Sequence, residues 1–211
     1  MRRTHVFRIY PSKGQVAALE KQLAGACDLY NACLQERRDA YKKAGLTLNY
    51  YDQAAHLKQM RAAGLIDVAN FSACQAVLKK LHHAMQAFFR RVKAGERPGY
   101  SRFKAKARYD SLLYPSYKDG IALCAGRKLR VQGVGKIRIR QHRNIDGDIK
   151  TVMVKRRAGK WYAILSCIVP DLLPLPPNTA DVGIDVGITD FATLSDGSAP
   201  VSYTHLRAPR D

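Results

Sequence analysis

Apolar and polar residues change their period along the chain, and each change marks a change of element. Residues 4–10 alternate, with Phe7 and Ile9 set against Arg8, which predicts a short strand closed by Pro11. A helical period follows at once. Ser12 with Gln15 three residues later makes a capping box, and Val16, Leu19, Leu23, Cys27, Tyr30 and Leu34 recur on one face up to a stop at Gly45. Residues 50–63 predict a second helix, stopped by Gly64. A third, residues 71–93, carries Val77, Leu81, Met85, Phe88 and Val92 on one face and Lys79, Lys80, His83, Arg90 and Arg91 elsewhere. The three are expected to pack as a small bundle.

Beyond the helices the period returns to two. Strand candidates at 121–123, 129–134, 136–140, 149–155 and 161–169 are separated by turn signals at Gly126, Gly135, Asp146-Gly147 and Ala158-Gly159. This is the pattern of a β-meander closing into a small barrel. The strand at 4–10 is not stable unpaired, so it is expected to join the later strands and make the helices an insertion. The fold class is therefore α+β: residues 1–10 the first strand of the barrel, 11–95 the helical insertion, 96–169 the rest of the barrel. Pro170, Pro174, Pro176 and Pro177 mark 170–179 as a stiff linker. Residues 180–200 hold a strand, a turn and a second strand, too little for an independent domain. Residues 201–211 have neither period nor cap, and the expectation is a fragment whose end is either an arbitrary cut or foreign read-through.

Charge turns this outline toward a partner. The 211 residues are 46% hydrophobic, ample for a core, yet the formal net charge is +19 and the pI is near 10.0. That excess points to a polyanion. A membrane surface would want a basic amphipathic helix or a lipidation signal, and no apolar run approaches the ~18 residues of a membrane span. Met1-Arg2-Arg3 leads into a strand rather than a signal peptide, so an intracellular protein is expected. Cys27, Cys33, Cys74, Cys124 and Cys167 form no Cys-x-x-Cys pair and read as reduced core residues. His82 and His83 have no second ligand one turn away and read as surface or core residues, and Trp161 reads as core.

The charge is concentrated. Arg97 to Lys160 holds eighteen Lys or Arg against four acids, a balance of +14. In Lys136-Ile137-Arg138-Ile139-Arg140 the cations share one strand face at about 7 Å spacing, close to a phosphate repeat. Arg97-Pro98-Gly99-Tyr100-Ser101-Arg102-Phe103-Lys104-Ala105-Lys106 interleaves cations with aromatics, as a backbone-and-stacking contact would. Arg97, Arg102, Lys104, Lys106, Lys136, Arg138, Arg140, Lys155, Arg156 and Arg157 are the candidate nucleic-acid contacts.

A different chemistry sits in Val182-Gly183-Ile184-Asp185-Val186-Gly187-Ile188. The run reads as a buried strand, where an unpaired Asp185 would cost several kcal/mol, on the order of the penalty for burying a charge. A basic side chain or a divalent cation would compensate it, and Gly183 and Gly187 leave room for a ligand near the backbone. Asp185 is read as a metal ligand. Asp181, Asp190 and Asp196 read as turn residues, with Asp190 an outside candidate for helping a cation.

Taken in order, these pieces resemble the N-terminal half of TnpB, the OrfB-type transposase of bacterial insertion sequences and a relative of type V CRISPR effectors. The resemblance rests on Tyr10-Pro11, Tyr30-Asn31 with Leu34 and Arg37, Pro98-Gly99-Tyr100-Ser101-Arg102-Phe103-Lys104, Gly135-Lys136-Ile137-Arg138-Ile139, Lys160-Trp161-Tyr162 and Val182-Gly183-Ile184-Asp185-Val186-Gly187. It implies a wedge-like barrel with a helical recognition insertion, followed by the first hairpin of an RNase H/RuvC-like domain. It implies an RNA-guided DNA endonuclease of the bacterial cytoplasm and nucleoid, with guide RNA and target DNA as partners and Mg²⁺ as cofactor. Asp185 matches the first RuvC carboxylate. The family's remaining carboxylates and its zinc ribbon lie beyond the end of this sequence, so the chain as given is expected to be inactive, since a two-metal site needs several carboxylates. Two other readings remain open: a non-catalytic RNA- or DNA-binding module, and the phosphate-binding hairpin of actin-like ATPases, which shares the Gly-Ile-Asp-x-Gly pattern.

Overall fold

The computed structural model describes residues 1–171, 182–186, 192–195 and 197. The chain divides into two compact units, Met1–Pro170 and Asp171–Asp211.

In the first unit, β1 (Arg2–Tyr10) leads through Pro11 into α1 (Lys13–Ala44). The capping box forms as the spacing predicts: the Gln15 backbone N–H donates to Ser12 Oγ, and the Ser12 N–H donates to Gln15 Oε1. Gly45 takes the left-handed conformation at φ 66° and ends the helix, with its N–H on the carbonyl of Tyr41. The second and third helices are α2 (Tyr50–Ala62) and α3 (Phe71–Lys93), capped by Asn49 and Asn70.

Six strands follow: β2 (Ser111–Tyr114), β3 (Ile121–Cys124), β4 (Lys128–Val131), β5 (Gly135–Arg140), β6 (Asp148–Arg157) and β7 (Lys160–Ile168). With β1 they form a seven-stranded antiparallel sheet in the order β2-β6-β7-β1-β5-β4-β3, curled into a nearly closed barrel. The first strand joins the later ones at the centre of the sheet, pairing Ile9 with Trp161 on β7 and with Ile139 on β5. β2 has no counterpart among the predicted strands. Its four residues between Asp110 and Pro115 are too short a run to show a period, yet Leu112 and Tyr114 both point inward and are buried.

Alternation does the packing. Phe7, Ile9, Ile121, Leu129, Ile137, Ile139 and Leu165 fill the barrel and are fully buried, and they join Leu34, Leu57, Leu78 and Leu81 of the helices in one core. Trp161 is core, and so are four of the five free cysteines. Side chains tie helices to barrel: Gln15 Nε2 donates to the carbonyl of Lys136 at 3.0 Å, and Gln22 Nε2 to that of Gln132 at 2.9 Å. No helix among the described residues is long and apolar enough to cross a membrane.

In the second unit, β8 (Ile184–Asp185) pairs with β9 (Thr193–Leu194). Its apolar run is not buried, contrary to the sequence reading: Val182, Ile184 and Val186 are 46%, 66% and 70% exposed, and Asp185 is exposed with them. Among the described residues β9 is the only ladder partner of β8, and a two-stranded ribbon covers neither face. The linker beyond Asp171, the turn residues Asp181, Asp190 and Asp196, and the tail at 201–211 lie outside the described residues.

Candidate nucleic-acid interface

Barrel alternation that buries Ile137 and Ile139 turns Lys136, Arg138 and Arg140 outward, and all three are exposed. Strand register then adds cations that no count along the chain would bring together. Arg140 faces Arg8 of β1, Arg138 faces Lys128 of β4, and Lys136 faces Arg130 of β4. Tyr10, paired with Arg138 across the other edge of β5, lies under two guanidinium groups, with Arg8 and Arg138 each 4.9 Å from its ring centroid.

Like charges directly opposite one another destabilise a sheet. A purely structural surface would interleave acids, but among the described residues none of these six cations has an acidic partner within 4.0 Å. The face therefore carries a concentrated positive potential over three strands, which a phosphate backbone would neutralise. The row continues across β7 and β6, where Arg8 faces Tyr162 and Tyr162 faces Lys155. Beside it, a groove of about 540 Å³ is lined by Arg8, Tyr10, Arg156, Lys160 and Trp161.

The other cations singled out by sequence divide into two groups. Arg97, Arg102 and Arg157 are exposed and have no ion-pair partner among the described residues. Lys106 pairs with Asp28 at 2.8 Å, and that hydrogen bond holds its pKa above the usual lysine value. Lys155 pairs with Asp110 at 3.4 Å. Arg156 donates to Glu20 at 3.1 Å and to the carbonyl of Ala107. Lys104 lies 4.8 Å over the ring of Tyr30. Asn31, on the same turn of α1, clamps its backbone: Oδ1 accepts from the Lys104 N–H and Nδ2 donates to its carbonyl. These four serve first to fasten the 97–110 segment and the end of β6 to the helices. Arg8, Lys128 and Arg130 are the cations of this face that sequence reasoning missed; the alternation around each was visible, but the register that groups them was not.

Asp185 is the one proposed metal ligand. Among the described residues no group of three or more His, Cys, Asp or Glu could hold an ion. The exposure of Asp185 also removes the argument that a cation is needed to compensate a buried charge, and the assignment rests on the resemblance alone.

Comparison with known proteins bears on the lineage. A family model, HTH_OrfB_IS605, described as a helix-turn-helix domain, matches residues 1–45. A protein named "Putative RNA-guided DNA endonuclease InsQ", from Escherichia coli (strain K12), is 28% identical over 197 residues, covering 91% of this chain and 47% of that protein. Over residues 1–45 the chain thus resembles OrfB-type proteins. Another relative, named "Putative RNA-guided DNA endonuclease", from Streptomyces pristinaespiralis, is 29% identical over 218 residues, covering 100% of this chain and 52% of that protein. The chain thus spans about half the length of these relatives. A protein chain in the "Cryo-EM structure of the Cas12f1-sgRNA-target DNA complex" shares its fold, with a TM-score of 0.50 at 16% identity over 92% of this chain and 54% of that one. Residues 1–45 fold as a strand and one unbroken helix, so no helix-turn-helix forms within the matched segment.

Proposed function

We propose that this chain is the nucleic-acid-holding part of a TnpB-like RNA-guided DNA endonuclease, gripping guide RNA and DNA through the outer face of its barrel. The observation that carries the reading is the six-cation face of β1, β5 and β4, placed in facing register with no acidic partner within 4.0 Å among the described residues. The names of the two curated relatives support the same reading. The chemistry of the face is that of a backbone grip: guanidinium and ammonium groups contact phosphates and carry little base information, while Tyr10 and Tyr162 offer ring surface beside them.

Asp185 enters this proposal as one carboxylate of a divalent-cation site in the whole nuclease, matching the first RuvC carboxylate. The described residues cannot form a two-ion site, so no hydrolytic step is assigned to them. A binding module without catalysis remains the second reading, favoured by the exposure of Asp185.

Filter binding of the 211-residue chain to an RNA hairpin and to a single-stranded DNA tests the proposal. Both should be retained at low salt, and an unrelated sequence of equal length should compete almost equally. Absence of retention at low salt would end it.

A further inference from the structure

A cavity of about 360 Å³ lies where the C-terminal ends of α1 and α3 meet the segment after α3. Tyr41, Met85, Phe88, Phe89 and Tyr100 line it, and Arg37 is the only charged residue in its wall. Phe88 meets Phe89 at 70° and Tyr100 at 77°, so these rings are fixed edge to face and none is stacked flat on another.

Arg37 itself is 6% exposed. Its Nε donates to Gln53 Oε1 at 2.8 Å, while its Nη2 is buried with no hydrogen-bond partner among the described residues. A buried guanidinium donor left unspent beside an aromatic cavity is costly, and an acceptor entering the cavity would relieve it. Burial also presses its pKa down from the usual arginine value. The mouth is cationic. The guanidinium of Arg38 lies 5.8 Å over Tyr100 and 5.3 Å over Phe103, and the last turns of the two helices carry Lys42, Arg90, Arg91 and Lys93, with Lys43 paired to Asp39 at 3.9 Å.

Three requirements follow for an occupant: flat π surface for the walls, an acceptor for Arg37, and negative charge for the mouth. An apolar protein segment meets only the first, and a second copy of this chain would bring a net charge of +19 to a cationic rim. A nucleotide meets all three. We propose that this cavity receives an unstacked base of single-stranded RNA, with the ring against Phe88, Phe89 and Tyr100 and a base acceptor toward Arg37. The adjoining phosphates lie along the basic last turns of α1 and α3. The inference rests on the reading of the barrel as a nucleic-acid grip, since the barrel supplies the bulk of the affinity and the cavity adds dependence on a base.

The test compares two RNAs of equal length and charge, one carrying its bases and one with abasic sites at its centre. The wild-type chain is expected to prefer the base-bearing RNA by about tenfold, the size of one stacked base. Tyr41→Ala and Phe89→Ala together should cut that preference to about twofold or less without lowering Tm, because both side chains are largely exposed (67% and 46%). RNA carrying 4-thiouridine should cross-link to Phe88, Phe89 or Tyr100. Equal binding of the two RNAs by the wild type, a preference that survives the double substitution, or cross-links confined to the barrel strands would overturn the cavity assignment and leave the barrel reading standing. Failure of the wild type to bind either RNA would remove both.

Discussion

Asn31 clamps one backbone residue, accepting from the Lys104 N–H at 2.8 Å and donating to the Lys104 carbonyl at 2.9 Å, while Nδ2 also reaches Cys27 Sγ at 3.7 Å. Asn31→Ala leaves the Lys104 N–H without its acceptor in a partly buried setting and its carbonyl with only the Cys27 thiol at 3.1 Å, at a cost of about 1–3 kcal/mol. A fall in Tm of about 3–8 °C is expected, and a change under about 1 °C would remove the clamp. Two thiols give a pH prediction. Burial, with Glu36 adding to it, pushes Cys33 up to about 12, and burial pushes Cys74 up to about 11, from an ordinary 9.0. Below pH 9 both thiols are protonated whether the chain is folded or not, and their contribution is complete. As pH rises from 9 toward 11 to 12, only the unfolded chain ionises, and stability falls. Chemical denaturation of wild type and Cys33→Ala between pH 8 and 11 should show a smaller alkaline loss in the variant; parallel curves would contradict the shift.

At the scale of elements, β5 shows why a strand can be legible while its neighbourhood is not. Two buried isoleucines alternating with three cations announce a half-buried strand within five residues, and the structure keeps that alternation. What the five residues cannot carry is register. Arg8 reaches Arg140 from more than a hundred residues away, and Lys128 and Arg130 face β5 only because the β4–β5 turn aligns them. Charge density along the chain therefore flagged Lys104, Lys106, Lys155 and Arg156, which are engaged with protein partners, and passed over Arg8, Lys128 and Arg130. The helices were legible to within two residues because Ser12, Gly45 and Gly64 punctuate them. Arg138→Glu with Arg140→Glu should weaken RNA binding at least tenfold and leave Tm within about 2 °C, since both side chains are exposed. Arg156→Ala should do the reverse, costing stability through the lost Glu20 and Ala107 contacts while changing binding about twofold or less. Equal losses of binding from both would place the grip elsewhere on the barrel.

At the scale of the whole molecule, the two units differ in what holds them. β8 and β9 pair through two residues each, with β8 exposed and Leu194 of β9 only half-buried, whereas β1 is flanked on both edges by β7 and β5. Hydrogen exchange should be fast at Ile184 and Asp185 and slow through β1, β6 and β7. With Mg²⁺ and guide RNA present, the 211-residue chain is expected not to cut DNA, while in a full-length version Asp185→Ala should abolish cleavage and spare RNA binding. Cleavage by the chain alone, or cleavage surviving Asp185→Ala, would contradict those roles. The most direct test of the central claim is the affinity of the 211-residue chain for single-stranded RNA as a function of salt, measured beside the Arg138→Glu/Arg140→Glu variant. Six phosphates neutralised by the barrel face predict a slope of log K against log salt of about −4, made shallower by one to two in the variant, roughly as expected for single strands. A slope near zero, or one that the two charge reversals leave unchanged, would show that the barrel face does not hold nucleic acid.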